Sequence, residues 1–300
     1  MKTRMGMAGL YAGFFIISFL VSLALTFDAR ALGGLLEKAA GQANLSLTFE
    51  QAEMTGLLGL ELQGVEISRL DRPGGGTTSL HRLRLSPKLS ALPGALLSSR
   101  GKRPPRVAFS FSAWQGESKQ RNLGGEVDFR TPGLSVDLDA ANLTLEQIGP
   151  GLAPKFPPLT GKLNGKLRLE VGDRQKPATW DCALKLELFQ AQLKDFQVMG
   201  MTVPGFNLGN ANLELELKDG QGPIKALKLT EGDLPVNLSG TLALPESGPL
   251  NLGAARISLS GTITMSEENK AKLPLLATIV PAGGRYNYSG ELKGLAPMLK

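Results

Sequence analysis

Apolar and polar residues alternate along much of this chain. Leu163, Leu167, Leu169 and Val171 fall between Lys162, Asn164, Lys166, Arg168 and Glu170, leaving one apolar face and one charged face. That period belongs to a half-buried β-strand. It returns at Trp180, Cys182, Leu184, Leu186 and Leu188, then at Leu213, Leu215 and Leu217. Further copies are Val236, Leu238, Leu242, Leu244, then Ile257, Leu259, Ile263, and finally Tyr286, Tyr288, Leu292. Upstream, Val107, Phe109, Phe111 and Leu134, Val136, Leu138 repeat it. Glycine and proline clusters separate the runs at Pro73-Gly-Gly-Gly76, Pro132-Gly133 and Pro281-Ala-Gly-Gly284. The pattern predicts a mostly β fold, an elongated or curved antiparallel sheet with a few short helices.

A loose phrase, apolar-x-Gly-x-apolar, recurs within these strands. It reads Leu159-Thr-Gly-Lys-Leu163, Leu238-Ser-Gly-Thr-Leu242, Leu259-Ser-Gly-Thr-Ile263 and, less closely, Tyr288-Ser-Gly-Glu-Leu292. Glycine inside a strand marks a bend, a bulge or a close backbone approach, so the recurrence predicts strands that bend at a similar height. The spacing is too irregular for a solenoid. Short helices are predicted over 87–97 and from Ser266, where Glu267 and Glu268 occupy the first turn before Leu273, Leu275 and Leu276. Pro274 should end or kink the second.

The N-terminus has a different pattern. Met5–Phe27 is an uncharged run of 23 residues, enough for a transmembrane helix across a hydrocarbon core about 30 Å thick. Lys2 and Arg4 precede it, which favours a cytoplasmic N-terminus and places the rest of the chain beyond the membrane. Ala29-Arg30-Ala31 has the small-x-small form of a signal cleavage site. The apolar run exceeds the roughly 7–15 residues of a signal peptide, however, so a retained anchor is expected. Leu32, Leu35, Leu36, Ala39, Ala40 and Ala43 follow at helical spacing. The expected organisation is an anchor over 1–27, an amphipathic helix over 28–44 and a β-rich domain over 45–300.

Composition narrows the chemistry. With 42% hydrophobic and 20% charged residues the chain is ordinary globular material, and 37 glycines with 19 prolines suit strands and turns. A net charge of +6 with only 6% aromatics makes a poor nucleic-acid platform, and no nucleic-acid partner is expected. The single Cys182 and single His81 leave little for zinc or a histidine-based triad. Cys182 shares the apolar phase with Trp180 and Leu184 and reads as a buried small hydrophobe; His81 reads as a surface residue. The carboxylate pairs Asp137/Asp139 and Glu214/Glu216 lie two apart on a solvent-facing phase, where neither acid has the burial that acid–base chemistry needs. Pro73-Gly-Gly-Gly-Thr-Thr78 lacks the ending of a phosphate-binding P-loop. Arg100, Lys102, Arg103 and Arg106 form a basic cluster that reads as a solvated loop, with anionic lipid headgroups as the sharper alternative. No catalytic, cofactor-binding or metal-binding residue emerges, and the chain is not expected to be an enzyme.

The order of these phrases carries a resemblance. An N-terminal anchor, an amphipathic helix and strands bearing Leu159-Thr-Gly-Lys-Leu-Asn-Gly-Lys-Leu167 look like the type II secretion system protein N family. Gly56-Leu-Leu-Gly-Leu-Glu-Leu-Gln-Gly64, Leu83-Arg-Leu-Ser-Pro87, Gly232-Asp-Leu-Pro-Val-Asn-Leu-Ser-Gly240 and Ala282-Gly-Gly-Arg-Tyr-Asn-Tyr-Ser-Gly-Glu-Leu-Lys-Gly294 fit that pattern as well. More distantly the chain resembles AsmA-like and TamB-like envelope proteins, whose curved sheets carry an apolar groove. The first resemblance implies a non-catalytic accessory component of a bacterial type II protein secretion system. Such a component would be a single-pass inner-membrane protein with a periplasmic domain that tethers other secretion subunits. The second implies a lipid-binding or lipid-transfer module with phospholipid as partner. Alternation alone fits both a closed core and an open lipid groove.

Overall fold

The computed structural model describes residues 29–42, 44–56, 59–70, 77–88, 106–117, 120–130, 133–147, 159–173, 175–198, 201–247, 252–272, 277, 280 and 283–295. Met5–Phe27, the Pro73–Gly76 cluster, Leu273–Leu276 and the basic residues Arg100, Lys102 and Arg103 lie outside them, as does most of the predicted helix over 87–97, whose Pro87 instead closes a strand. Among the described residues no helix is long and apolar enough to cross a membrane.

Helix α1 (Ala29–Gln42) leads into β1 (Leu45–Thr48), β2 (Gln51–Thr55), β3 (Gly59–Arg69) and β4 (Thr78–Pro87). Then come β5 (Arg106–Trp114), β6 (Leu123–Arg130), β7 (Gly133–Thr144), β8 (Leu159–Val171) and β9 (Trp180–Leu193). A small hairpin, β10 (Phe196–Val198) and β11 (Met201–Val203), precedes β12 (Phe206–Leu217), β13 (Gln221–Thr230), β14 (Val236–Ala243) and β15 (Arg256–Ile263). Helix α2 (Glu267–Lys272) and β16 (Arg285–Glu291) complete the order. Fourteen strands form one antiparallel sheet, as the alternation predicts; from β3 on each pairs with the next strand in sequence, except that β9 reaches β12 past the separate β10–β11 ribbon.

The first edge is broken and covered. β1 and β2 are two halves of one edge strand, and both pair with β3. The break at Phe49–Glu50 faces Gly64, which has a left-handed φ of 61°. Glu50 still donates its N–H to the Gln63 carbonyl at 2.9 Å. The break leaves Phe49 beneath α1: a Cβ on Gly33 would lie 2.9 Å from Phe49 Cε1, so any larger residue there would displace the ring. Leu32 and Leu36 of α1, with Leu47 and Phe49, cover Leu60, Leu62, Val65, Leu80 and Ala113. On the opposite face Arg84 places Nε and Nη2 at 2.9 and 2.7 Å from Oε2 of the buried Glu61, while the Arg82 guanidinium lies 4.1 Å from the Trp114 ring centre.

Glycines shape the other end. The glycines of the recurring phrase do not lie at one height: Gly240 and Gly261 fall in different rows, and Gly290 returns to the row of Gly222. Gly222 faces Leu242, Gly240 lies between Ile224 and Leu259, and Gly261 between Leu238 and Tyr286. A Cβ on Gly240 or Gly261 would overlap the carbonyl oxygen of Ser258 or Asn237 in the adjoining strand, so the backbones approach too closely for alanine.

A line of β-bulges crosses the middle strands. Register shifts fall between Ala140 and Leu143, between Thr160 and Lys162, and on both sides of Gly209. Asn142 and Gln190 adopt left-handed φ values of 51° and 52° there. The amides freed from the ladder are taken by side chains. Asn142 N–H donates to Asn164 Oδ1 at 2.6 Å, Gln190 N–H to Asn210 Oδ1 at 3.1 Å and Asn207 N–H to Asp233 Oδ2 at 2.8 Å.

Candidate functional site

Register sets the candidate site. Opposed residues on antiparallel strands point to the same face, and the pairings connect one unbroken apolar row. It runs Leu60, Leu85, Phe111, Gly125, Leu138, Leu167, Leu184, Leu215, Ile224, Gly240, Leu259, Tyr288, one residue from each strand of the large sheet from β3 to β16. A parallel row runs Gly165, Leu186, Leu213, Leu227, Leu238, Gly261, Tyr286.

This face is closed at its ends and open in its middle. Beside α1 it forms the cluster already described; across β12–β16 it forms a second, with Ile224, Leu238, Ile257 and Leu259 buried and Leu292 packed against them. Neither cluster includes a residue from the other end of the sheet, so the two ends do not pack on one another as a sandwich would. On β7, β8 and β9 the buried apolar residues Leu143, Val171, Trp180 and Ala191 lie outside the central rows. Leu138, Leu167, Leu169, Leu184, Leu186 and Leu188, between them, are only half-buried. Phe109 and Phe129, on the same face, are 40% and 42% exposed. The extensive contacts of β6 to β9 are all with their hydrogen-bonded neighbours. Among the described residues, no second layer lies over the middle strands.

Cys182 belongs to this face, opposite Leu169 and Leu217, and burial raises its thiol pKa. Burial, with the Tyr288 charge adding, likewise raises the Tyr286 phenol. The predicted carboxylate pairs sit on the reverse face. Asp137 is exposed and aligned with Arg168; Asp139 aligns with Lys166, with Arg121 at 4.0 Å. Glu214 and Glu216 flank Lys225, at 3.5 Å for the first and in closer contact for the second. Hydrogen bonding and charge from Lys225 lower the Glu216 pKa, and Glu216 in turn raises that of Lys225. These acids neutralise bases along a solvated surface and do not face one another across a pocket. His81 is exposed on β4, and Arg106 begins β5. Among the described residues no group of His, Cys, Asp or Glu could hold a metal ion.

A cleft of about 760 Å³ is lined by residues of both phases, Gly222, Leu242 and Ile257 together with Thr241, Ser258 and Ser289. Another, near the bulges, is lined by Thr144, Glu146, Gln190 and Asn210. In the second the polar groups bond one another: Asn210 receives the Gln190 N–H and donates to Glu231 Oε2 at 2.6 Å. The bulge line and its asparagines escape a reading by alternation, because a bulge inserts residues without changing the flanking apolar types. Asn142 and Asn164 at strand positions, where asparagine is disfavoured, were the available signal. Comparison with protein families, curated proteins and solved structures finds no match for this chain.

Proposed function

We propose that the chain is a non-catalytic module of the bacterial envelope, held at the inner membrane by Met5–Phe27, whose curved sheet receives phospholipid acyl chains along its apolar face. The observation that carries this reading is the incomplete burial of the central leucines on a face that is apolar from β3 to β16. Water against that face is costly, and each methylene moved from water onto it contributes about 0.8 kcal/mol. β8, with 13 residues, runs about 40 Å at ~3.3 Å per residue. An acyl chain spans about half of a 30 Å hydrocarbon core, so one strand length exceeds one chain. The charged reverse face keeps the other side in water.

The tether reading for a type II secretion system is the second proposal, favoured by the order of the glycine–leucine phrases from Gly56 to Gly294. Confinement by an anchor raises the effective concentration of the domain near other anchored subunits, and partners would meet sheet edges and loops. Native mass spectrometry of the protein, gently extracted from cell envelopes, separates the two. Phospholipid retained at a defined stoichiometry, and lost on Leu186→Glu, is the outcome expected of the groove. Bare protein whose central leucines resist surface labelling would overturn the groove and leave the tether.

A further inference from the structure

The two edges of the sheet are built differently. β1 and β2 are short, broken and overlaid by α1, which blunts that edge against further pairing. β16 ends the strand order as one continuous run of seven residues, with no proline, no bulge and, among the described residues, no strand beyond it.

Its hydrogen-bonding phase follows from its ends. Gly284 accepts from Ile263 N–H at 2.9 Å, and Leu292 donates to the Ala255 carbonyl at 2.8 Å. Residues of even number therefore turn their amides and carbonyls towards β15, and Arg285, Asn287, Ser289 and Glu291 turn theirs outward.

We propose that β16 pairs with β16 of a second copy of this chain about a two-fold axis at Tyr288. In that register Arg285 stands opposite Glu291 of the other copy, Asn287 opposite Ser289, Tyr286 opposite Gly290 and Tyr288 opposite itself. Every outward-facing residue meets another outward-facing residue, so the four pairs exchange backbone hydrogen bonds. The one positive and one negative side chain of the strand meet at both ends, where Arg285 joins the Lys293 ammonium that lies 2.6 Å from Glu291 within one chain. Shifting the register two residues towards the C-terminus would set Arg285 against Lys293; two towards the N-terminus leaves Glu291 facing Gly283. Tyr288 Oη, which donates to the Glu291 carbonyl at 2.8 Å within one chain, occupies one lone pair of that oxygen and leaves the other for the Arg285 amide of the partner. A two-fold axis normal to the sheet keeps both apolar faces on the same side. This pairing does not depend on what the face binds.

The test is disulfide trapping in the full-length protein in its own membranes, on a Cys182→Ala background. Tyr288→Cys places two thiols at a non-hydrogen-bonded pair, where Cα atoms lie about 4.5 Å apart, within disulfide range. Oxidation should give a covalent dimer. Ser289→Cys alone should not cross-link, but should do so when mixed with Asn287→Cys chains carrying a different tag. Ser289→Pro removes an outward N–H while leaving the β15 ladder intact, and should abolish the dimer while the unfolding midpoint stays near that of the parent. A Tyr288→Cys chain that stays monomeric under oxidation, while its thiol reacts freely with maleimide, would overturn the proposal. So would a dimer that survives Ser289→Pro.

Discussion

Two leucines of the same chemistry sit in different surroundings on one sheet face. Leu62 is 0% exposed beneath α1, while Leu184 is half-buried in the open middle. Leu62→Ala should cost about 2–5 kcal/mol, the range for a truncated core leucine. Leu184→Ala should cost clearly less, because water already reaches that side chain. Urea unfolding of the two variants measures the difference, and equal losses would mean a closed core over β9. Gly240→Ala tests the close approach: the added methyl meets the Ser258 carbonyl and should cost about 1–3 kcal/mol, read as a lower midpoint at unchanged slope. Cys182 is a native reporter of the same face. Because burial penalises the thiolate, which is the reactive form, alkylation should be slow at neutral pH. It should rise with pH through a midpoint above that of an exposed thiol, and added phospholipid should slow it further.

At the scale of elements, the line of bulges makes its own prediction. Asn210→Ala leaves the Gln190 amide without its acceptor and Glu231 without a donor, and should cost about 0.5–1.5 kcal/mol by urea titration. The strands with clean alternation, β5, β7, β8, β9, β12, β14, β15 and β16, were legible in the sequence, because one apolar face opposite a polar one imposes period 2 on every one. β13 was not. Its Pro223 argues against a strand, yet the structure accommodates it where the β12–β13 register breaks, so that Pro223 pairs only with Thr241 of β14. The break between β1 and β2 also escaped, since Phe49 continues the apolar series while turning to meet α1. Alternation located the apolar face of the candidate site but could not say whether anything covers it. That distinction depends on which elements return over the sheet, and here only α1 and the last turn do so among the described residues.

For the whole molecule, the consequence of the strand order lies in how the chain folds and how its length can change. From β3 on, each strand of the sheet pairs with the strands next to it in the sheet's sequence order, so each hairpin can close as soon as it is made, and the longer connections add little to the entropy of closure. A chain emerging from its N-terminal end could therefore add strands one by one to the α1–β3 cluster. No residue has to wait for a distant partner, and exposed edges are brief. Stability in such a meander is close to a sum of nearest-neighbour terms, as in repeat proteins. A hairpin inserted or deleted in the middle would lengthen or shorten the apolar path by two strand spacings, about 10 Å, without disturbing either end. The reach of the molecule is thus adjustable in whole hairpins.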